Sequence, residues 1–272
     1  MTRRNKILSW LLAAIVVVGA SGSAAAEALR IGGTGAATEM LKHVGAAFAA
    51  GSETQVEVIP SLGTGGAIRA VVDGVLDIAV AGRPITSEEA KLGLKQVAVV
   101  RTPFGLVTSN RNPNGLKSAD IAAIFAAGNA RWTDGAPIRV ILRPKSDSDT
   151  WLLGTLFPGM SAALDQARKR SDVPTAPTDQ DNAEMAERVS GSLAGAAFTQ
   201  IEMEKRNLRF VAIDGVTPTL ENFERGTYPY VKSMRFVTPA APQAAVTRFI
   251  AFLNSPAGQR ALRETGTLPG EE

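Results

Sequence analysis

The chain has 272 residues, 29 of them basic and 26 acidic, with one histidine and no cysteine. The lack of cysteine excludes disulfides, thiolate metal sites and a lipoprotein anchor, and one histidine argues against a multi-histidine metal centre or histidine-based catalysis. Once the three basic residues of the N-terminus are set aside, 26 of each sign remain, and no like-charge block marks a nucleic-acid-binding surface.

In chain order, Arg3, Arg4 and Lys6 precede an apolar run over 7–20 and the small residues Ala24-Ala25-Ala26, which is the order of a secretory signal. Residues 1–26 are expected to be removed ahead of Glu27. The apolar run falls short of the roughly 20 residues a membrane span needs, with an uncleaved anchor as the alternative. Short apolar runs then alternate with helical patterns: strand 28–31, helix 38–50, strand 55–59, helix 67–73, strand 77–81, helix 87–92 and strand 95–101. Such alternation predicts βαβ units and a parallel sheet. Further along come strand 105–109, helix 118–125, strand 138–142, a helix from Thr150, helix 179–189, strands 194–199, 208–212 and 234–237, and a last helix 241–263. Pro103, Pro218 and Pro229 punctuate the expected crossing regions.

Three strand-to-helix turns carry small or hydroxyl residues: Gly33-Thr34-Gly35-Ala36-Ala37-Thr38, the stretch from Ser61 through Gly63-Thr64-Gly65-Gly66 to Ile68, and Ser146-Asp147-Ser148-Asp149-Thr150. Glycine lets backbone approach a ligand, the first N–H groups of a helix have no intrahelical partner, and the helix dipole favours negative charge there. Ligands of open α/β sheets bind at these carboxyl ends. Converging turns would hold an oxyanion with few charged side chains, and Arg143, at the end of the strand before the third turn, would add a bidentate fork. A purely connecting role is the alternative for a glycine-rich turn. The spacing matches neither the dinucleotide fingerprint nor a phosphate loop, which disfavours nucleotides.

From about residue 29 to 269 the chain resembles the periplasmic phosphate-binding proteins of ABC transporters and their wider group of type II periplasmic binding proteins. Five segments carry the resemblance: Gly33 to Thr38; Leu62-Gly63-Thr64-Gly65-Gly66; Asp77-Ile78-Ala79-Val80-Ala81-Gly82-Arg83-Pro84-Ile85; Arg143 with Ser148-Asp149-Thr150; and Ser255-Pro256-Ala257-Gly258-Gln259. The resemblance implies an α/β fold of two lobes, each a mostly parallel sheet flanked by helices, joined by two hinge crossings. It implies lobe one at 27–104 plus 233–272 and lobe two at 105–232. It further implies capture of phosphate or a related oxyanion between the lobes for an ABC permease in the inner membrane, by a periplasmic, non-enzymatic monomer without cofactor. An oxyanion-sensing or assembly role on a membrane partner is the alternative. The ligand residues carried over are Gly35, Ala36, Ala37, Thr38, Gly63, Thr64, Gly65, Gly82, Arg83, Arg143, Ser148, Asp149 and Thr150.

Three positions depart from the family pattern. Ala37 replaces a threonine, Gly82 replaces the carboxylate that accepts the ligand's proton, and Asp149 replaces the glycine of Ser-Gly-Thr. Asp149 is the acidic residue best placed to take over that acceptor role, but Asp147 and Asp149 are equally good helix caps. Arg83 has the alternative of binding backbone or a surface carboxylate. His43 is expected as a surface or half-buried helix residue, and Trp132 and Trp151 as core or cleft wall.

Overall fold

The computed structural model describes residues 28–270, so the signal segment and its cleavage ahead of Glu27 lie outside the described residues. Strand β1 (Ala28–Gly33) leads through a 3-10 turn, Gly35–Ala37, into α1 (Thr38–Ala49). Next come β2 (Gln55–Ile59), α2 (Gly63–Val72) and β3 (Ile78–Ala81), and β1 pairs in parallel with both β2 and β3. All four residues of β3 are buried, as a strand covered by helices on both faces must be. Helix α3 (Ser87–Lys91) opens on a reciprocal capping box between Thr86 and Glu89.

After β4 (Leu94–Thr108) follow α4 (Ser118–Ala127), β5 (Arg139–Val140), α5 (Ser148–Leu156), α6 (Met160–Ala167), α7 (Asp179–Arg188), β6 (Ser192–Ala197) and α8 (Phe198–Met203). The chain closes with β7 (Arg209–Phe210), α9 (Leu220–Glu224), β8 (Val231–Pro239), α10 (Ala244–Asn254), α11 (Pro256–Glu264) and β9 (Leu268–Gly270). The strand order is β2-β1-β3-β8-β4-β6-β5, with β7 and β9 also paired to β4. β8 runs antiparallel to both β3 and the first part of β4, while β5 and β6 are parallel.

β4 ties the two lobes together. From Leu94 to Pro103 it pairs with β8, and from Phe104 to Val107 with β6. Two separate strands are expected from the sequence on either side of Pro103; instead one strand of 15 residues runs through it. The Phe104 N–H donates to Tyr230 O at 3.0 Å, so by alternation the missing N–H of Pro103 faces away from β8, where no ladder bond is lost. Two hydrophobic clusters flank the β1–β3 sheet, one under α1, α10 and α11, the other under α2. Two more flank the second sheet, one under α4, α5 and α6, the other under α7 and α8. The molecule is thus a pair of α/β lobes, each a sheet between helical layers.

Several boundaries differ from the sequence pattern. α2 starts at Gly63 rather than Ala67, so the glycine stretch is the first helical turn and not a loop ahead of it. α5 starts at Ser148, not Thr150. α8 and α9 are unanticipated, α8 following directly on β6, where strand 194–199 is expected. The long terminal helix is two helices: the Ser255 hydroxyl accepts from Gly258 N–H at 3.1 Å, and Pro256, lacking a donor, takes the first helical position.

Candidate functional site

The turns after β1 and β2 meet the second lobe at α7. A Cβ added to Gly35 would lie 2.5 Å from Gln180 Oε1 and 2.7 Å from Asp179 Oδ2, so only glycine lets α7 come this close. Gln180 clasps the two lobes: its Nε2 donates to Gly35 O at 3.0 Å, and its Oε1 accepts from the Ser61 hydroxyl at 3.3 Å. Ser61 itself is left-handed, with φ 59°, an uncommon conformation for a residue with a side chain, and Gly63 beside it has φ 66°. These residues border a cavity of about 80 Å³ lined by Gly35, Ser61, Gly63, Arg143, Thr178 and Asp179, among others. At roughly 10–15 Å³ of such volume per water molecule, it accommodates an ion of a few heavy atoms.

Five ionisable groups gather beside that cavity. Lys232, on β8, is fully buried, and its ammonium hydrogen-bonds Asp149 Oδ1 and lies 3.8 Å from Asp179 Oδ1. Arg143, also buried, donates from Nη1 to Ala176 O at 2.7 Å and from Nη2 to Asp147 Oδ2 at 2.8 Å, with Asp179 Oδ2 at 3.7 Å. Its Nε–H is buried and has no partner in the protein.

Two cations therefore face three carboxylates, and one carboxylate is in surplus. Burial pushes the Asp149 carboxyl up to about 7, only partly opposed by Lys232, with Asp179 and Asp147 adding to the rise. Asp179 goes the other way. Burial alone would raise it, but Lys232, Arg143 and the Gly35 backbone hold it below the usual carboxylate range. Burial opposes the charge of Lys232, yet Asp149 and Asp179 raise its pKa above the ordinary value and keep it protonated. The geometry explains the split: Asp179 stands between both cations, so the surplus proton settles on Asp149.

The residues expected at the site are distributed around this cluster. Gly35, Gly63 and Arg143 line the cavity. Ala36, Ala37 and Thr38 are buried in the turn that supports Gly35. Thr64 is buried, and its hydroxyl accepts from Gly82 N–H at 2.9 Å, leaving the hydroxyl proton to donate elsewhere. Gly82 and Ser148 meet across the lobes: a Cβ on Gly82 would sit 2.6 Å from Ser148 Oγ, so a carboxylate at this position has no room.

Four of the expected residues are turned to other tasks. Arg83 forms a bidentate pair with Glu89 at 2.8 and 2.9 Å, six residues along, and this hydrogen-bonded pair holds Glu89 below the usual carboxylate range. Thr150 donates to Pro144 O at 2.9 Å within its own lobe. Gly65 is exposed, on a face of α2 away from the cavity. Asp149 is behind the cavity wall, against Lys232; it is not a helix cap, because Asp147 fills that position and accepts from Asp149 N–H at 2.9 Å. His43 bonds Glu264 on the surface, Trp132 is core, and Trp151 is largely exposed.

Lys232 and Asp179 escape the sequence reading. The signal for Lys232 is alternation on β8, where Lys232, Met234 and Phe236 all point inward. Asp179 hides as an acidic residue in a first helical turn, but the cap of α7 is the box between Thr178 and Asp181, which leaves Asp179 free for the cleft.

A larger open groove of about 560 Å³ adjoins the mouth of the cleft. Its two basic residues are already paired, Lys42 with Glu39 and Arg206 with Glu204, each at 2.7 Å, so the groove has no surplus positive charge for an anion.

This fold and buried donor set define a two-lobed binding protein. A family model described as a PBP superfamily domain matches residues 18–257, and the chain belongs to that superfamily. It is similar to Protein SphX of Synechococcus elongatus, with 28% identity over 232 residues covering 76% of this chain and 67% of the other. Among solved structures it resembles one described as a phosphate ABC transporter substrate-binding protein with bound phosphate from Clostridium perfringens. That match has a TM-score of 0.76 and 18% identity, covering 90% of this chain and all of the other. An ABC-type phosphate transport receptor from Vibrio cholerae matches with a TM-score of 0.62 and 17% identity, over 90% of this chain and all of the other.

Proposed function

We propose that the protein captures phosphate or a related small oxyanion in the cleft between its lobes and delivers it to an ABC permease of the inner membrane. In this scheme it acts in the periplasm, as a monomer and without catalysis, after its leader is removed. The observation that carries the proposal is the buried guanidinium of Arg143, with an unpartnered Nε–H, on the wall of an ion-sized cavity that Gly35 and Gly63 border from the other lobe. The names of the similar proteins from Clostridium perfringens and Vibrio cholerae point to the same class of ligand.

Gly35 and Gly63 offer close backbone approach, Thr64 and Ser148 offer hydroxyls, and Arg143 and Lys232 supply the positive charge. Lobe one comprises 27–104 and 233–272, lobe two 105–232, and the crossings on β4 and β8 act as the hinge. A ligand that touches both lobes binds the closed state better than the open one and so shifts the population towards closure.

Titration calorimetry of phosphate against the parent and Arg143→Ala tests the assignment. The variant is expected to fold and to lose on the order of 2 to 4 kcal/mol of binding, the loss characteristic of a charge-assisted donor to a buried anion. Equal affinity in the two proteins would remove Arg143 from the site.

A further inference from the structure

The cluster behind the cavity is out of balance before any ligand is considered. The charged groups that face Asp149 and Asp179 are Lys232 from β8, Arg143 from the segment after β5 and Asp147 at the start of α5. With every group ionised, two positive charges oppose three negative ones, all in buried or nearly buried surroundings. A dianion placed against Arg143 would add two more negative charges to that enclosure. Water cannot screen them there, and an uncompensated buried charge is resolved by proton binding rather than tolerated.

From this cluster we infer that the Asp149–Asp179 carboxyl pair takes up a proton when an oxyanion enters the cavity, so that the site binds anion and proton together. The inference rests on the capture of an oxyanion proposed above and adds a specificity-determining element to it. The proton acceptor is Asp149. Asp179 stays ionised between Lys232 and Arg143, and Asp149 lies against the same ammonium without a second cation of its own. Without ligand the Asp149 carboxyl titrates at about 7, so above neutral pH it is largely ionised and open to a proton. The added negative charge of the ligand then raises its affinity for that proton. The balance is simple: one proton leaves the solvent or buffer, one O–H bond forms on the Asp149 carboxylate, and the ammonium of Lys232 keeps all of its protons.

Two consequences separate such a site from a neutral cradle of amides. Affinity falls as pH rises above 7, even for an anion such as sulfate that does not itself titrate in this range. In addition, binding draws protons from the buffer. The test is calorimetry at pH 8 in two buffers of different ionisation enthalpy, with phosphate and with sulfate, on the full mature protein.

The expected result for the parent is uptake of more than half a proton per anion bound. Asp149→Asn is expected to reduce that uptake to near zero while still binding anion. Should Asp149→Asn fold poorly, Asp179→Asn serves as the second variant: it removes the surplus charge and lowers the uptake in the same direction. Anion binding by the parent with no difference between buffers overturns the inference and leaves oxyanion capture standing, as does unchanged uptake in a folded variant. Failure of the parent to bind phosphate, arsenate or sulfate overturns oxyanion capture, and this inference with it.

Discussion

Replacing Lys232 with methionine keeps the length and packing of the side chain but removes the ammonium that both Asp149 and Asp179 share. The parent cluster reaches neutrality with one proton, which Asp149 holds below about pH 7. In Lys232→Met, one guanidinium faces three carboxylates, and neutrality needs a second proton, on Asp179. Breaking a buried pair by removing one partner costs about 3 to 5 kcal/mol when the partner left behind stays charged. Protonation relieves that cost by about 1.4 kcal/mol for each pH unit below the pKa the stranded carboxylate then adopts.

The sign follows from the proton count. The parent already binds an extra proton at Asp149 relative to the unfolded chain, and the variant binds a second, so its stability falls more steeply as pH rises. Urea unfolding followed by circular dichroism at pH 5 and pH 8 is the assay. The expected destabilisation is about 3 to 5 kcal/mol at pH 8 and drops to about 1 to 2 kcal/mol at pH 5. An equal loss of stability at the two pH values would refute the shared-ammonium account.

Two further substitutions test packing, one at the cleft and one at the junction of α10 and α11. Gly82→Asp introduces a carboxylate, but its Cβ would stand 2.6 Å from Ser148 Oγ and force the lobes apart; phosphate affinity measured by calorimetry is expected to fall at least about tenfold, or 1.4 kcal/mol, and tighter binding would show that the contact yields. Gly258→Ala places a Cβ 1.9 Å from Phe252 O between α10 and α11; urea unfolding should register a loss of about 1 to 3 kcal/mol, and a variant as stable as the parent would mean that the helical junction shifts freely.

Much of the candidate site is legible in sequence because its chemistry is local. Gly35 and Gly63 stand where helices begin, and Arg143 ends a strand just ahead of another helix, so position along the chain alone predicts their convergence. What the sequence conceals depends on side chains meeting from distant segments. Arg83 sits in a stretch that resembles the family pattern, but Glu89, six residues further on in the first turn of α3, captures it. Lys232 reads as an ordinary surface lysine until β8 is known to extend back to Val231. Asp149 and Asp147 are indistinguishable as caps in one dimension. The cap bond from Asp149 N–H to Asp147 and the packing of Asp149 against Lys232 tell them apart. For the fold, periodicity finds the βαβ units but not the continuity of β4, because Pro103 punctuates the sequence without interrupting the ladder.

The path of the chain also sets an order of assembly. The cluster that spans Phe104 to Tyr228 is contiguous in sequence, so the second lobe can complete its core from one uninterrupted stretch. The cluster built on Leu29, Ile31 and Ile78 also needs Met234, Phe249 and Leu262, which are the last to be synthesised. Until β8 arrives, β3 is an open edge of four apolar residues, Ile78-Ala79-Val80-Ala81, the kind of edge that pairs with stray strands. A nascent or stalled chain ending before residue 231 would therefore carry one finished lobe and one adhesive half-sheet. The first lobe's core and the pairing of β3 therefore close only with the C-terminal 40 or so residues in place.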